Sequence, residues 1–221
     1  MQTPEQVVQE KNRFINRLII ALVYLAIIWT VHMIKRGLNL DWDQWGVLPR
    51  TERGAWGILF MPFLHRDFAH LISNSAPLFV LFLSTLQFYP RIGIRVLLGV
   101  QLMGGGLVWA FARPSFHIGA SGVVYGLGAF LFFSGWFRRD TKSMAIACIV
   151  AFLYGCMVWG VLPTQPDISW EGHLFGAFSG VLMAYLHRNV DRPKPYSWEE
   201  EEPAEFPNQT YWEQEKDEYR D

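Results

Sequence analysis

Long apolar runs alternate with short polar segments through most of the chain. Six runs cover, approximately, residues 14–34, 68–89, 92–112, 119–137, 144–162 and 172–186. Each of the first five has close to the length that an α-helix needs to cross the hydrocarbon core of a bilayer, which is about 20 residues. The sixth is shorter and would draw on flanking residues to span the membrane. The pattern predicts an all-α membrane protein in which six transmembrane helices form one bundle.

The segments outside these runs divide the chain. Residues 1–13 are polar and are expected to form a cytoplasmic N-terminal segment, followed by a membrane domain over 14–189. Residues 35–67 combine charge, tryptophan and short apolar pieces, which is typical of a structured loop lying partly in the membrane interface or of an ordinary surface loop. Residues 190–221 are rich in acidic residues and proline and predict a disordered cytoplasmic tail.

Composition narrows the class of protein. Hydrophobic residues make up 51% of the chain, which excludes a disordered protein and favours a membrane protein. The net charge of −1 provides no global electrostatic field for nucleic acid, so no nucleic-acid partner is expected. Cys148 and Cys156 lie about 12 Å apart along one predicted helix, too far for a mutual disulfide. Both are interpreted as packing or lipid-facing thiols.

Lysine and arginine residues predict the orientation of the helices, because cytoplasmic loops carry an excess of them. With a cytoplasmic N-terminus, the two short outer loops contain only Arg113. The inner segments then contain Lys11, Arg13, Arg17, Arg91, Arg95, Arg138, Arg139, Lys142, Arg188, Arg192 and Lys194. We therefore expect both termini to be cytoplasmic, in a pattern that suits a bacterial plasma membrane.

This orientation places four polar residues at one depth. The second, fourth and sixth runs all cross from outside to inside, and near their starts lie His70 and Asn74, Ser121, and His173, respectively. Polar side chains inside a bilayer are costly and are usually paired. Independent packing residues would have no reason to share a depth. The four residues therefore indicate one polar site near the outer face.

The residue types in this site indicate hydrolysis. A histidine can take the proton of a serine hydroxyl and make it a nucleophile, so Ser121 and His173 are the candidate pair. Acyl transfer creates an oxyanion that needs hydrogen-bond donors, which Asn74, His70 and the Ser121 backbone amide can supply. Tyr125 lies one turn below the serine, where it would pack on the imidazole or act as a plain packing aromatic.

Glycines around the serine allow a second interpretation. Gly119, Gly122 and Gly126 flank it, and small residues let membrane helices approach closely. Taken alone, this stretch would indicate helix packing. The histidine about fifty residues downstream makes the catalytic interpretation the stronger one.

Two motifs together resemble the rhomboid family of intramembrane serine proteases. One is Gly-Ala-Ser-Gly at 119–122 followed by Tyr125, and the other is Gly-His-Leu-Phe-Gly-Ala-Phe-Ser-Gly at 172–180. His65, His70 and Asn74 match the His-x4-His-x3-Asn pattern at the head of that family's second helix. The resemblance extends over about 14–189, with six spans in the same order.

The resemblance implies a fold, a mechanism and a class of substrate. Ser121 would be the nucleophile and His173 the general base of a dyad with no third acid, while His70, Asn74 and the Ser121 amide would form the oxyanion hole. The substrate would be a membrane-anchored protein, cleaved in or next to its transmembrane segment, with no metal and no cofactor. Dyad support and helix packing would come from Tyr125, Gly119, Gly122, Gly176 and Gly180.

Two positions depart from the family's pattern. The first loop of the family usually carries a Trp-Arg pair, but here Trp56 is followed by Gly57 and the nearest arginine is Arg53. The sequence therefore does not show how this loop is anchored. Gly172 replaces the usual alanine before the catalytic histidine, which keeps a small residue there.

Other polar residues have minor roles in this interpretation. His65 is expected to hold the first loop through hydrogen bonds, and His117 is a weaker candidate for the base. Glu171 and Asp167 lie close enough along the chain to orient His173, but the resemblance implies no acid.

Two other classes of protein compete with the protease. A rhomboid-like pseudoprotease binds membrane proteins without cutting them, but it usually lacks the serine or the histidine, and both are present here. A transporter or metal-binding protein would use His65, His70 and His173 as ligands and would leave the serine without a role. The expected partners are therefore a transmembrane protein substrate and the lipid bilayer.

Overall fold

The computed structural model describes residues 3–164 and 168–191, so Asp167 and nearly all of the predicted tail lie outside the described residues. In this part of the chain there are three 3-10 helices, Asp43–Trp45, Met61–Phe63 and Gly155–Val161. The α-helices are α1 (Pro4–Gly37), α2 (Glu52–Phe60), α3 (Phe68–Phe88), α4 (Gly93–Phe111), α5 (Ser121–Arg138), α6 (Thr141–Tyr154) and α7 (Trp170–Leu186). The predicted all-helical architecture is confirmed.

Helix α1 begins before the apolar run and is longer than a bilayer core is thick. The Thr3 hydroxyl accepts from the Gln6 amide, the Gln6 side chain accepts from the Thr3 amide, and Pro4 occupies the first turn. Its 34 residues make a helix about 51 Å long, against a hydrocarbon core of about 30 Å. The polar residues before position 14 therefore extend the helix beyond the hydrocarbon core.

Among the described residues, four helical segments are long and apolar enough to cross a membrane: α1, α3, α4 and the stretch Thr141–Val161, in which α6 continues into a 3-10 helix. The other two predicted spans correspond to α5 and α7, which have 18 and 17 residues and are rich in glycine. Helix α5 packs against α3, α4, α6 and α7, and most of its residues are buried. Because α5 contacts protein more than lipid, it needs fewer large apolar residues than a lipid-facing helix. The count of six transmembrane helices stays a prediction.

Helices α5 and α7 approach each other backbone to backbone. A Cβ atom at Gly176 would overlap the carbonyl oxygen of Gly122, and one at Gly180 would overlap that of Gly126. Glycine is therefore required on this face of α7, because any side chain would push the two helices apart. Ser121 begins α5 and His173 lies in the first turn of α7, so this contact brings the starts of the two helices together.

The segment 35–67 is structured, and it is anchored on α4. The Trp109 ring N–H donates to the Thr51 carbonyl at 2.8 Å, and the Gln101 amide donates to the Leu59 carbonyl at 3.0 Å. The Arg50 guanidinium donates to the Ala112 carbonyl at 2.9 Å. Trp56, by contrast, is 63% exposed. The anchors are thus an arginine from the loop and a tryptophan from α4, which answers the question raised by the missing Trp-Arg pair.

Candidate active site

Ser121 is presented by a short glycine-containing turn at the start of α5. Gly119 has a φ of 112°, a left-handed conformation that favours glycine, and its amide donates to the Met61 carbonyl at 2.8 Å. The next amide, that of Ala120, donates to the His65 ring at 3.4 Å. Helix α5 has no side-chain cap. The first backbone amides of the helix, including that of Ser121, therefore have no intrahelical partner and carry the positive end of the helix dipole.

The Ser121 hydroxyl lies within hydrogen-bonding distance of His173. The distance from its Oγ to His173 Nε2 is 2.9 Å, and the histidine is only 8% exposed. The start of α7 is held by Ser169, whose hydroxyl accepts from the Gly172 amide at 3.3 Å. Two residues that are 52 positions apart are thus in direct contact where α5 and α7 begin.

The second ring nitrogen of His173 contacts a backbone carbonyl. Nδ1 lies 2.8 Å from the carbonyl oxygen of Gly160, in the 3-10 helix that follows α6. A carbonyl oxygen only accepts hydrogen bonds, so Nδ1 must carry the proton and Nε2 must have the free lone pair. This tautomer allows Nε2 to accept the Ser121 proton. The orienting group that a carboxylate supplies in many serine hydrolases is here a peptide carbonyl.

Tyr125 stacks on the imidazole of His173. The ring centroids are 4.1 Å apart and the planes differ by 6°. The tyrosine lies one turn after Ser121 on α5, so the helix that carries the serine also supports one face of the histidine ring.

Asn74 and His70 lie beside the turn that carries Ser121. A Cβ atom at Gly119 would be 2.7 Å from His70 Nε2 and 3.6 Å from Asn74 Nδ2. Asn74 is buried, and among the described residues its side-chain nitrogen has no hydrogen-bond partner. A buried amide without a partner is costly. Its N–H groups are available to an anionic group near Ser121.

His65 and His117 hold backbone segments around the site. His65 is fully buried, its Nε2 accepts from Ala120, and burial lowers its pKa to about 3, so the ring is neutral. His117 Nδ1 lies 2.6 Å from the Ser169 hydroxyl, and its Nε2 lies 3.1 Å from the Arg113 carbonyl. Burial also lowers the pKa of His117. Both side chains have partners that fit a structural role.

No carboxylate among the described residues contacts His173 through a hydrogen bond. The buried Glu171 pairs instead with Arg113, whose Nε lies 3.4 Å from Oε1. The described part of the chain also contains no group of three or more histidine, cysteine, aspartate or glutamate residues arranged to hold a metal ion.

Sequence reasoning missed the contributions of Gly160, Ser169 and Arg113. Ser169 has a recognisable signal, because a serine just before an apolar run is a typical helix cap. Arg113 donates to the Ile168 carbonyl at 2.7 Å and so holds the chain before α7. Gly160 acts through its carbonyl oxygen, a group that every residue has, and therefore leaves no trace in the sequence.

Known proteins resemble this chain over most of its length. The Rhomboid domain matches residues 52–190. Uncharacterized protein Rv1337 of Mycobacterium tuberculosis is 35% identical over 84% of this chain and 81% of its own length. Uncharacterized protein ML1171 of Mycobacterium leprae is 35% identical over 83% of this chain and 76% of its own length. RHOMBOID-like protein 4 of Arabidopsis thaliana is 28% identical over 60% of this chain and 34% of its own length. Together with its membrane-length apolar helices, these matches show that the chain is an integral membrane protein and belongs to the rhomboid family.

Proposed function

We propose that this protein is an intramembrane serine endopeptidase. It hydrolyses a peptide bond in or next to the transmembrane segment of a membrane-anchored protein. Ser121 is the nucleophile and His173 the general base. The observation that carries the proposal is the 2.9 Å contact between Ser121 Oγ and His173 Nε2, with the opposite ring nitrogen on the Gly160 carbonyl.

Acylation begins when Ser121 Oγ attacks the carbonyl carbon of the scissile bond and its proton passes to His173 Nε2. The imidazolium that forms keeps its Nδ1–H on the Gly160 carbonyl, which accepts more strongly from a charged donor. The oxyanion accepts from the Asn74 amide, His70 and the Ser121 backbone N–H. His173 then gives the proton to the leaving amine, and the acyl group stays on Ser121.

Deacylation repeats these steps with water. His173 Nε2 takes a proton from a water molecule that attacks the acyl carbonyl, and the second oxyanion uses the same donors. His173 then protonates Ser121 Oγ as the ester bond breaks, which releases a new carboxyl terminus. Ser121 is only partly buried, which is consistent with access of water to the ester.

The proposed setting is a bacterial plasma membrane crossed six times by residues 14–189. Both termini lie in the cytoplasm, with the acidic residues 190–221 as a tail. The active site is then near the outer face, where α3, α5 and α7 begin. Lipid and a transmembrane substrate contact the exposed apolar side chains of the bundle, among them Phe152 and Trp159.

A fluorophosphonate probe tests whether Ser121 is activated. Purified protein in detergent is labelled and compared with the Ser121→Ala and His173→Ala variants, each checked for an unchanged unfolding temperature. We expect labelling of the wild type alone, mapped to Ser121. The same proteins are then tested on a single-span substrate in liposomes. A folded wild type that neither labels nor cleaves would contradict the proposal and indicate a pseudoprotease.

A further inference from the structure

The carbonyl that contacts Nδ1 of His173 belongs to an exposed segment of the chain. Gly160 belongs to the 3-10 helix Gly155–Val161, and none of the residues in this segment is buried. Val158 and Trp159, just before the glycine, are 59% and 69% exposed. The Gly160 carbonyl lies 2.8 Å from His173 Nδ1, and Met157 packs against the hydrophobic core of the bundle.

Gly160 also fits closely against the two stacked rings. A Cβ atom at this position would overlap the Tyr125 hydroxyl and would lie 3.3 Å from His173 Nδ1. At the other end of the same segment, a Cβ atom at Gly155 would have nothing within 4 Å. Of the two glycines at the ends of this stretch, Gly160 is the one that lies against the dyad, and a side chain there would displace the chain.

Without this carbonyl, the proton of neutral His173 would be free to sit on either ring nitrogen. A proton on Nε2 removes the lone pair that accepts from Ser121, and the dyad is then inactive. The imidazolium formed during catalysis would also lose its only protein acceptor on Nδ1 in the described structure.

We infer that Gly160 is a positioning residue: its carbonyl selects the Nδ1–H tautomer of His173, so the dyad is competent only while the segment Gly155–Val161 stays in place. This inference rests on the proposed function. The Gly160 carbonyl thus orients the histidine, as an acidic residue does in serine hydrolases with a catalytic triad.

The first test compares two alanine substitutions in the segment. Gly160→Ala is expected to lower kcat on the order of ten- to a hundredfold, with little change in KM, because a hydrogen bond to a charged group is lost. Gly155→Ala, the matched control, is expected to keep wild-type kcat. Both are measured on a single-span substrate in liposomes. Equal kcat values for the two variants would overturn the inference.

A second test changes the carbonyl without adding volume. Replacing Val161 by its α-hydroxy acid turns the 160–161 amide into an ester and weakens the Gly160 oxygen as an acceptor. The same replacement at Met157 weakens the Cys156 carbonyl instead and serves as the control. We expect the ester at 161, and not the one at 157, to lower kcat. Unchanged kcat with the ester at 161 would overturn the inference.

The tautomer of His173 provides a readout that a structural defect would not produce. In ¹⁵N-histidine-labelled protein, with the signal assigned by its loss in His173→Ala, we expect an Nδ1–H ring in the wild type. The ester at 161 should shift it toward Nε2–H. An unchanged tautomer would overturn the inference even if kcat fell. A wild type without any protease activity would refute the proposed function, while this spectrum would still test the role of Gly160.

Discussion

The ring of Tyr125 lies parallel to the imidazole of His173, with centroids 4.1 Å apart. The stack keeps the imidazole from tilting out of its plane, so its loss should lower the catalytic rate. We expect Tyr125→Ala to lower kcat roughly three- to tenfold, since aromatic pairs contribute about 0.5–1.5 kcal/mol beyond burial. Tyr125→Phe keeps the ring and should stay close to wild type in steady-state assays. Equal losses in both variants would assign the effect to the hydroxyl and not to the stack.

Asn74 should matter for the rate and not for folding. Among the described residues its side-chain N–H groups have no hydrogen-bond partner, so removal of the amide breaks no native hydrogen bond from that nitrogen. We expect Asn74→Ala to lower kcat on the order of a hundred- to a thousandfold, the range for one oxyanion donor, with an unchanged unfolding temperature. Ser73→Ala, on the exposed neighbouring position of the same helix, is the control. A normal kcat in Asn74→Ala would remove this residue from the oxyanion hole.

The contact between α5 and α7 predicts a large difference between two glycine substitutions. Gly176→Ala places a methyl group against the Gly122 carbonyl and should destabilise the protein by about 1–3 kcal/mol through overpacking. Gly106→Ala on α4 meets nothing within 4 Å and should be neutral or stabilising by up to about 1 kcal/mol, the gain in helix propensity. Thermal unfolding in detergent compares them. Equal stability of the two variants would contradict the close approach of the helices.

Buried histidines predict a loss of stability in acid. Burial, with the neighbouring histidine rings, lowers the pKa of His65 to about 3, whereas an unfolded histidine has a pKa of about 6.5. Between these values the unfolded chain binds a proton that the folded chain does not, so stability decreases as pH falls through that range. We expect the unfolding temperature to drop as the pH falls from about 6.5 toward about 3.

Substitution of His65 checks the origin of this dependence. In His65→Gln the drop should be smaller, because the glutamine does not titrate, yet it should not vanish, because burial also lowers the pKa of His117. Equal drops in wild type and variant would assign the acid sensitivity to other groups.

Metal removal should leave the activity unchanged. In the proposed mechanism Ser121 is activated by His173, and each step uses protein side chains, backbone groups and water. We therefore expect the same cleavage rate before and after treatment with EDTA. A loss of activity that added zinc restores would favour a metal site built from the histidines.

The local pattern predicted the elements that carry the site. Polar residues at the edges of apolar runs predicted where three helices start, because such residues are stable only at a helix end or in a polar site. These starts lie near His70 and Asn74, at Ser121 and before His173. The structure has α3, α5 and α7 beginning within three residues of the predicted starts at 68, 119 and 172. The boundary that differs most is the start of α1, where a capping box in polar sequence extends the helix to Pro4.

The anchoring of the first loop shows what local pattern leaves open. Arg50 and Trp109 are 59 positions apart in sequence, yet the Trp109 carbonyl accepts from the Arg50 amide at 2.9 Å. Nothing near either residue indicates the other, because the partner of each is a backbone group. The sequence raised the question of the missing Trp-Arg pair, and only the packing of α2 against α4 answered it.

By itself the sequence determined the helical class, the membrane-length apolar runs and the candidate dyad, because hydropathy and side-chain chemistry are properties of single residues and short windows. The tertiary structure decided the 2.9 Å contact between Ser121 and His173, and the tautomer in which His173 Nε2 can accept the serine proton. That tautomer depends on the carbonyl of Gly160, and a carbonyl is common to all residues. Its position depends on how the chain folds back after α6, which only the packed bundle specifies.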